Sequence, residues 1–277
     1  MKQPEGFLAL KNRYILEGEL VSEAPLHIGG AAPSPQTDAP FLRDAAGAYI
    51  PGSSVRGVLR STLERILQSL DGARGCVLFA EGTHPSCLTD EKNLKAFNEE
   101  LRGTDAENEE ALQRKVLGDG QCDICKLFGS PLMASKLRIA DCRLNPPGEF
   151  TIRDGVGIDR DTEAAREKIK FDFEALDNGA VFSFCLQLEN AEHRDFALLA
   201  ILLSEMTQRG IEVGGKKSRG FGRVRLKLKE SVSFFDNLAT FLTTGLQTMR
   251  ADEFQRQIGG HLANYLQEGN HAAPGCE

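Results

Sequence analysis

Residues 27–60 read HIGGAAPSPQTDAPFLRDAAGAYIPGSSVRGVLR, and they set the organisation expected of the whole chain. Gly29-Gly30 opens a Pro-rich loop that carries two acids, Asp38 and Asp44, and the loop closes on Pro51-Gly52-Ser53-Ser54. Behind it Val55, Leu59, Leu63, Ile66 and Leu67 fall at helical spacing. That spacing predicts a helix from about Ser53 to Leu70, ending near Gly72, with Ser53 or Ser54 as N-cap. Arg56, Arg60 and Arg65 project from the same helix. Free N–H groups and the helix dipole make such an end an anion site. Caps and helical arginines are common, so an ordinary amphipathic helix after a surface loop explains these local features equally well.

The chain has 277 residues and a net charge of -7. Its length fits one large domain, or one domain with insertions. No apolar run is long enough to span a membrane, and the start lacks the pattern of an export signal, which leads to the expectation of a cytoplasmic protein. Seven cysteines in that setting are thiols or metal ligands rather than disulfides. Acids crowd residues 90–110 and 159–174. Between Arg209 and Lys229, in contrast, Lys216, Lys217, Arg219, Arg223, Arg225 and Lys227 add to the two flanking cations, against one acid, Glu212. An acidic chain with one basic stripe is compatible with RNA binding, because phosphate contacts depend on local charge.

Tyr14–Val21 alternates as a strand, with Ile15 and Leu20 expected in the core. A short hairpin is expected around 41–44 and 48–50, turned at Ala46-Gly47. Residues 72–130 read as an insertion with a polar helix near 89–102. Strands are expected at Leu137–Leu144, Val181–Leu188 and Gly222–Leu228, and a helix at Asp195–Gln208. Residues 150–173 show no clean periodicity, 233–266 read as one or two terminal helices, and the tail from Glu268 reads as disordered. Strand, helix, strand, strand, helix, strand is the βαββαβ order of an α+β, ferredoxin-like fold. RNA recognition domains share that order, but their aromatic-rich strand signature is missing.

Cys122-Asp123-Ile124-Cys125 is the clearest metal motif, since two thiolates at this spacing bind one Zn²⁺ from a tight turn and need two more ligands. Cys87 supplies the third, and the fourth is His84 or Cys76, with His84 placed first. A redox pair and four unconnected thiols are the rival readings. Cys142 and Cys185 sit inside strands as core residues.

Taken together, His27-Ile28-Gly29-Gly30, Asp38-Ala39-Pro40-Phe41-Leu42-Arg43-Asp44, Pro51 to Gly57 and Gly214 to Arg225 resemble the RAMP superfamily, the RNA-binding subunits of CRISPR effector complexes. In particular they are similar to the repeated backbone subunit of type III complexes. The resemblance covers most of residues 13–228 and implies a RAMP domain over 1–230 and a helical extension and tail over 231–277. Within that domain, a zinc-binding insertion spans about 72–130 and a protruding thumb about 150–178. Lys126-Leu127-Phe128-Gly129-Ser130 fits the segment that follows such a zinc site, and Ile169 or Phe171 is the expected thumb wedge.

By the same resemblance Asp38 cleaves guide-paired target RNA with Mg²⁺ or another divalent cation. Gly29, Gly30, Ser53, Ser54, Arg56, Arg60, Lys216, Lys217, Ser218, Arg219 and Arg223 are the expected RNA contacts. Asp44 reads as a structural acid paired with Arg43, and His27 as a structural residue. The implied partners are the guide RNA, the target RNA, further copies of the chain and other type III subunits, with no membrane. A non-catalytic architectural RNA-binding subunit and a zinc-stabilised hydrolase unrelated to RNA are the alternatives.

Overall fold

β1 (Arg13–Ser22) is hydrogen-bonded along both edges and organises the sheet. The computed structural model describes residues 9–30, 35–70, 75–78, 87–89, 91–105, 108, 112, 121–131, 133–158 and 165–271, with backbone alone at 157–158, 165–170 and 269–271. One edge of β1 runs antiparallel to β8 (Val181–Glu189), from Arg13↔Glu189 to Val21↔Val181. The other edge is shared by β10 (Arg223–Leu228), opposite Gly18–Ser22, and β11 (Ser231–Phe235), opposite Arg13–Ile15. β4 (Leu137–Ile139), β9 (Ile211–Glu212) and β12 (Gln247–Arg250) extend the sheet beyond β8, β10 and β11 to make seven strands. The result is a mixed α+β fold.

The alternation in β1 buries Tyr14, Leu16 and Leu20, which corrects the expected core face: Ile15 is only half-buried. Successive strand residues point to opposite faces, and Leu16 shares its face with Leu20. A Cβ on Gly18 would come within 2.4 Å of the Lys227 carbonyl oxygen, so the pairing of β1 with β10 needs glycine there.

α1 (Gly52–Gln68) buries Val55, Leu59, Leu63 and Leu67 in the same core as β1. Each such side chain contributes about 1.5–3 kcal/mol of transfer free energy. The N-cap is Pro51, not Ser53 or Ser54, and neither serine caps the helix with its side chain. Instead the Gly52 N–H donates to Asp141 Oδ1 at 2.9 Å. A Cβ on Gly52 would meet the Ile139 carbonyl oxygen at 2.2 Å. Asp141 therefore interrupts the strand expected at 137–144, which is split into β4 and β5 (Cys142–Arg143).

The hairpin of β2 (Arg43–Asp44) and β3 (Gly47–Ile50) forms as expected, with β5 added beside β3. Two segments that showed no clean periodicity, by contrast, form a two-stranded ribbon, β6 (Phe150–Ile158) against β7 (Ala165–Leu176), in one register from Phe150↔Leu176 to Val156↔Lys170 and shifted at Ile158↔Ala165. Between residues 72 and 130, α2 (Glu91–Arg102) and α3 (Asp123–Phe128) are helical.

α4 (His193–Ser204) buries Leu198, Leu199, Leu202 and Leu203, and its Asp195 accepts the Glu192 N–H at 2.9 Å and pairs with Lys136 at 2.6 Å. The C-terminal part is not simply helical. β11 and β12 flank α5 (Leu238–Thr244), and α6 (Ala251–His271) follows. α6 buries Phe254, Ile258 and Tyr265, and the Phe254 ring lies 5.7 Å from Tyr14 and 6.4 Å from Phe196. No helix among the described residues is long and apolar enough to cross a membrane.

His193 Nδ1 and His261 Nδ1 are 2.9 Å apart across the α4–α6 contact. Arg194, which pairs with Asp123 and Glu268, and Tyr265, which donates to Asp123, stand at the same junction. Burial and His193 hold the His261 imidazole below its ordinary value. The stabilisation from neutral His261 is thus complete above the unfolded pKa of about 6.5 and is lost as pH falls from there through the lower folded pKa. The urea midpoint is expected to drop between about pH 7 and about pH 5, and His261→Leu to reduce that dependence. An unchanged pH profile in the variant would contradict the assignment.

Candidate RNA interface and metal centre

Among the described residues, 25–30 and 35–42 have little sheet of their own, and their backbone bonds run to two distant segments and across the loop itself. On one side, Leu26 and Leu176 exchange N–H···O bonds of 2.8 Å, and the Glu174 N–H reaches the Ala39 carbonyl at 3.0 Å. On the other, the Gly215 N–H reaches the His27 carbonyl at 2.9 Å and the Gly222 N–H the Pro25 carbonyl at 2.9 Å. Within the loop, Gly30 donates to Pro40 and Leu42 donates to Ile28. His27 is buried, with Nδ1 2.7 Å from the Glu174 carbonyl oxygen and its ring 5.3 Å from Phe173.

Asp38 lies on the solvent-exposed edge of this loop, against β7. Its N–H donates to Asp172 Oδ1 at 2.7 Å, and the Asp172 N–H donates back to Asp38 Oδ2 at 3.1 Å. Two residues along β7, Glu174 accepts the Phe41 N–H at 2.7 Å and holds Arg43 at 2.6 Å. Arg43, joined by the Phe41 N–H, keeps the Glu174 carboxyl below its ordinary range. Arg43 is thus committed to Glu174, and Asp44 pairs instead with Arg143 at 2.6 Å, which lowers the Asp44 pKa.

The Gly-rich turn provides the adjoining cationic wall. Lys216 Nζ stands 4.0 Å from the Phe173 ring centroid and 4.8 Å from that of Phe171, while the Arg219 guanidinium is 5.7 Å from Phe171. Phe221 meets Phe173 edge-on at 5.5 Å. Burial, then the nearby Arg219, holds the Lys216 ammonium below its ordinary pKa. Phe171 lies across its partner Gly155, where a Cβ would come within 2.2 Å of the ring. The side chain of Ile169, the other expected wedge, lies outside the described residues.

Two of the glycines have an internal reason for being there. Gly214 (φ +82°) and Gly222 (φ +95°) adopt left-handed backbone, and a Cβ on either would lie 2.3 Å from a carbonyl oxygen, of His27 and Val213 respectively. Gly29 is exposed, as are Ser53, Lys217, Ser218 and Arg219. Arg223 is engaged by Glu23 at 3.1 Å and by the Arg209 carbonyl. Arg56 is half-buried and donates to the Phe128 carbonyl. Arg60 is buried: it bonds Glu64 at 2.9 Å, the Gly129 carbonyl at 3.3 Å and Cys125 Sγ at 3.5 Å. Its donors face the protein, not solvent.

Cys76, Cys87, Cys122 and Cys125 are buried together, with all four sulfurs within 4.8 Å of one another. The Cys76–Cys125 and Cys76–Cys122 sulfurs are 3.3 Å and 3.5 Å apart, and all four cysteines are free thiols. A disulfide would need about 2.05 Å, whereas tetrahedral Zn–S bonds of about 2.3 Å space sulfurs by about 3.8 Å. Cys76 occupies the fourth position, while His84 lies outside the described residues. Cys122 is N-cap of α3 and accepts the Cys125 and Cys76 N–H groups at 3.4 Å and 3.3 Å; Cys87 accepts the Cys122 N–H at 3.2 Å. Hydrogen bonding from Cys125 drives the Cys122 thiol down, and hydrogen bonding to Cys122 drives those of Cys125 and Cys87 up. Further negative charge in this space calls for a cation. The donor set fits a closed four-sulfur site for a thiophilic metal such as zinc, cross-linking the insertion to α1 through Arg60.

Purified protein is therefore expected to carry one equivalent of zinc. Cys122→Ser and Cys76→Ser should each lose it and lower the thermal midpoint by roughly 10 °C, the scale set by several kcal/mol of metal-linked folding energy. His84→Ala should retain the metal. Elemental analysis with thermal scans checks both, and zinc lost from H84A but kept in C76S would reverse the ligand assignment.

Comparison with known proteins adds a family to this geometry. The RAMP superfamily model matches residues 19–225. A Methanocaldococcus jannaschii protein named CRISPR system Cms endoribonuclease Csm3 is 26% identical over 238 residues, covering 79% of this chain and 81% of that protein. A protein of the same name from Methanothermobacter thermautotrophicus is 22% identical over 251 residues, covering 79% and 86%. The matched region begins in β1 and ends in β10, so it takes in the loop with Asp38, the four-sulfur cluster, the β6–β7 ribbon and the Gly-rich turn. The chain belongs to the RAMP superfamily.

Proposed function

We propose that this protein is a type III-like backbone subunit that binds a CRISPR guide RNA and, within the assembled complex, cleaves the target RNA paired to it. The observation that carries this reading is an exposed carboxylate, Asp38, clamped to one face of β7 in the β6–β7 ribbon, while Lys216 and Arg219 stand on the opposite face of that strand. The two relatives named as CRISPR endoribonucleases support it.

In this reading β1, α1, β4, β8, α4 and β10 are the βαββαβ ferredoxin-like core; the sheet order β4-β8-β1-β10 with antiparallel neighbours supports it. The β6–β7 ribbon is the thumb and the four-sulfur cluster a structural zinc site. Residues 1–230 carry the RNA machinery, and 231–277 form an extension on the same sheet. Exposed Lys217, Ser218 and Arg219, with Gly29, Ser53 and half-buried Gly30, Ser54 and Lys216, would meet the RNA backbone. Arg56, Arg60 and Arg223 would act mainly by supporting those segments, given their internal partners. Base pairing supplies sequence specificity, while the protein reads phosphate and shape.

For cleavage, Asp38 is exposed and acceptor-only when ionised, so it can take the proton of a ribose 2′-hydroxyl as that oxygen bonds to the adjacent phosphorus, the bond to the 5′-oxygen breaking and the leaving oxygen taking a proton from water. The exposed carboxylate of Asp38 suits a hard divalent cation, which when bound would offset negative charge on the phosphate. The partners would be guide RNA, target RNA, further copies of this chain and other effector subunits.

Asp38→Ala should leave guide-RNA binding and assembly intact and slow cutting of guide-paired RNA by about 100-fold or more, the usual scale for an acid–base group. Single-turnover cleavage by the reconstituted complex measures this. Undiminished cutting by the D38A complex would favour a purely architectural role.

A further inference from the structure

We infer that Asp172 is a positioning residue for Asp38, fixing the direction in which the Asp38 carboxylate is presented. The inference rests on the reading of Asp38 as the cleaving residue and adds a second residue, on a different element, to that site.

The basis is a reciprocal clamp. Each aspartate's backbone N–H donates to the other's carboxylate, at 2.7 Å from Asp38 to Asp172 Oδ1 and at 3.1 Å from Asp172 to Asp38 Oδ2. An exposed aspartate otherwise samples several rotamers; here one oxygen of Asp38 is bound to β7, which fixes the side chain and orients the other oxygen. Hydrogen bonds to an ionised acceptor are the stronger kind, so the clamp holds even at an exposed position.

The neighbouring contacts show why a side chain makes this bond. Residues 38–41 run beside β7, but only an isolated parallel bridge, Ala39↔Phe173, joins their backbones in register. Asp172 and Glu174, two residues apart on one face of β7, supply carboxylates to the Asp38 and Phe41 N–H groups on either side of that bridge. Glu174 is further neutralised by Arg43, and the Asp172 N–H returns a bond to the Asp38 carboxylate. The opposite face of this part of β7 carries Phe171 and Phe173, against which Lys216 and Arg219 stand. A shift of β7 against the loop would therefore move the Asp38 carboxylate and the cationic wall together. Misplacement of a reacting group by about 1 Å can cost about 100-fold in rate.

The test uses the guide-RNA-loaded complex assembled with the parent chain, D172A, D172N or D38A, and measures target binding and single-turnover cleavage. The asparagine keeps a carbonyl oxygen that accepts the Asp38 N–H, and alanine removes it. Because Asp172 is on the surface ribbon, all variants are expected to assemble and to bind target like the parent. Cleavage is expected to fall about 10- to 100-fold in D172A and to stay within about threefold of the parent in D172N. Parental rates in both would overturn the inference. Equal losses in both would also overturn it, since the charge, as in a cation ligand, would then matter rather than the acceptor. Parental cutting by D38A would instead mean that the reading of Asp38 has failed, a result separable from the first two.

Discussion

The backbone amides and carbonyls of residues 25–30 and 35–42 must find partners, because unpaired polar groups next to a packed core are costly. They find them in β7 on one side, in the turn from Val213 to Gly222 on the other, and across the loop itself. That requirement brings together segments more than a hundred residues apart. It buries His27 at their junction, and it explains Gly214 and Gly222, whose left-handed backbone passes within contact of carbonyl oxygens. Asp38 and the basic turn are thereby anchored to opposite faces of one strand, β7.

A second constraint comes from the four sulfurs. Arg60 reaches from α1 to Cys125 and to the Gly129 carbonyl, so the insertion and the helix behind Ser53 are tied through one guanidinium. From the other side, Tyr265 and Arg194 hold Asp123, the residue after Cys122, and extend the tie to α6 and α4. The N-terminus of α1 is fixed independently by Asp141. The first turn of α1, which exposes Ser53 and buries Gly52 and Val55, is thus held by a buried polar frame.

Much of this was legible in the sequence. Long alternating or periodic stretches such as 181–188 and 195–204 announced their elements, and the C-x-x-C turn announced its cluster. Ile15 and Leu16 show where that legibility stops: both are apolar, and only the pairing of β1 decides which one faces inward. The β6–β7 ribbon was hidden because its partners are distant: Phe173, Ala175 and Leu176 are buried on β7, whereas Ile152 and Val156 on β6 are exposed, so no apolar alternation marks both strands. The β11 strand was hidden in SVSFF, a run short enough to pass for the start of a helix. Ser53 and Ser54 looked like caps because capping depends on local residue type, whereas the actual partner of Gly52, Asp141, is 89 residues away. Arg60 read as an RNA contact for the same reason, since its burial depends on a cluster elsewhere in the chain. Asp172 carried no signal at all: an aspartate in an acidic stretch becomes specific only when its partner is known.

The most direct measurement is to purify the protein from its own host under mild salt and sequence the RNA that accompanies it. The account predicts RNAs of discrete lengths that share a constant, repeat-derived segment joined to variable sequence, in particles containing several copies of this chain. Recovery of the protein without RNA, or with an unselected mixture of cellular RNAs, would contradict it.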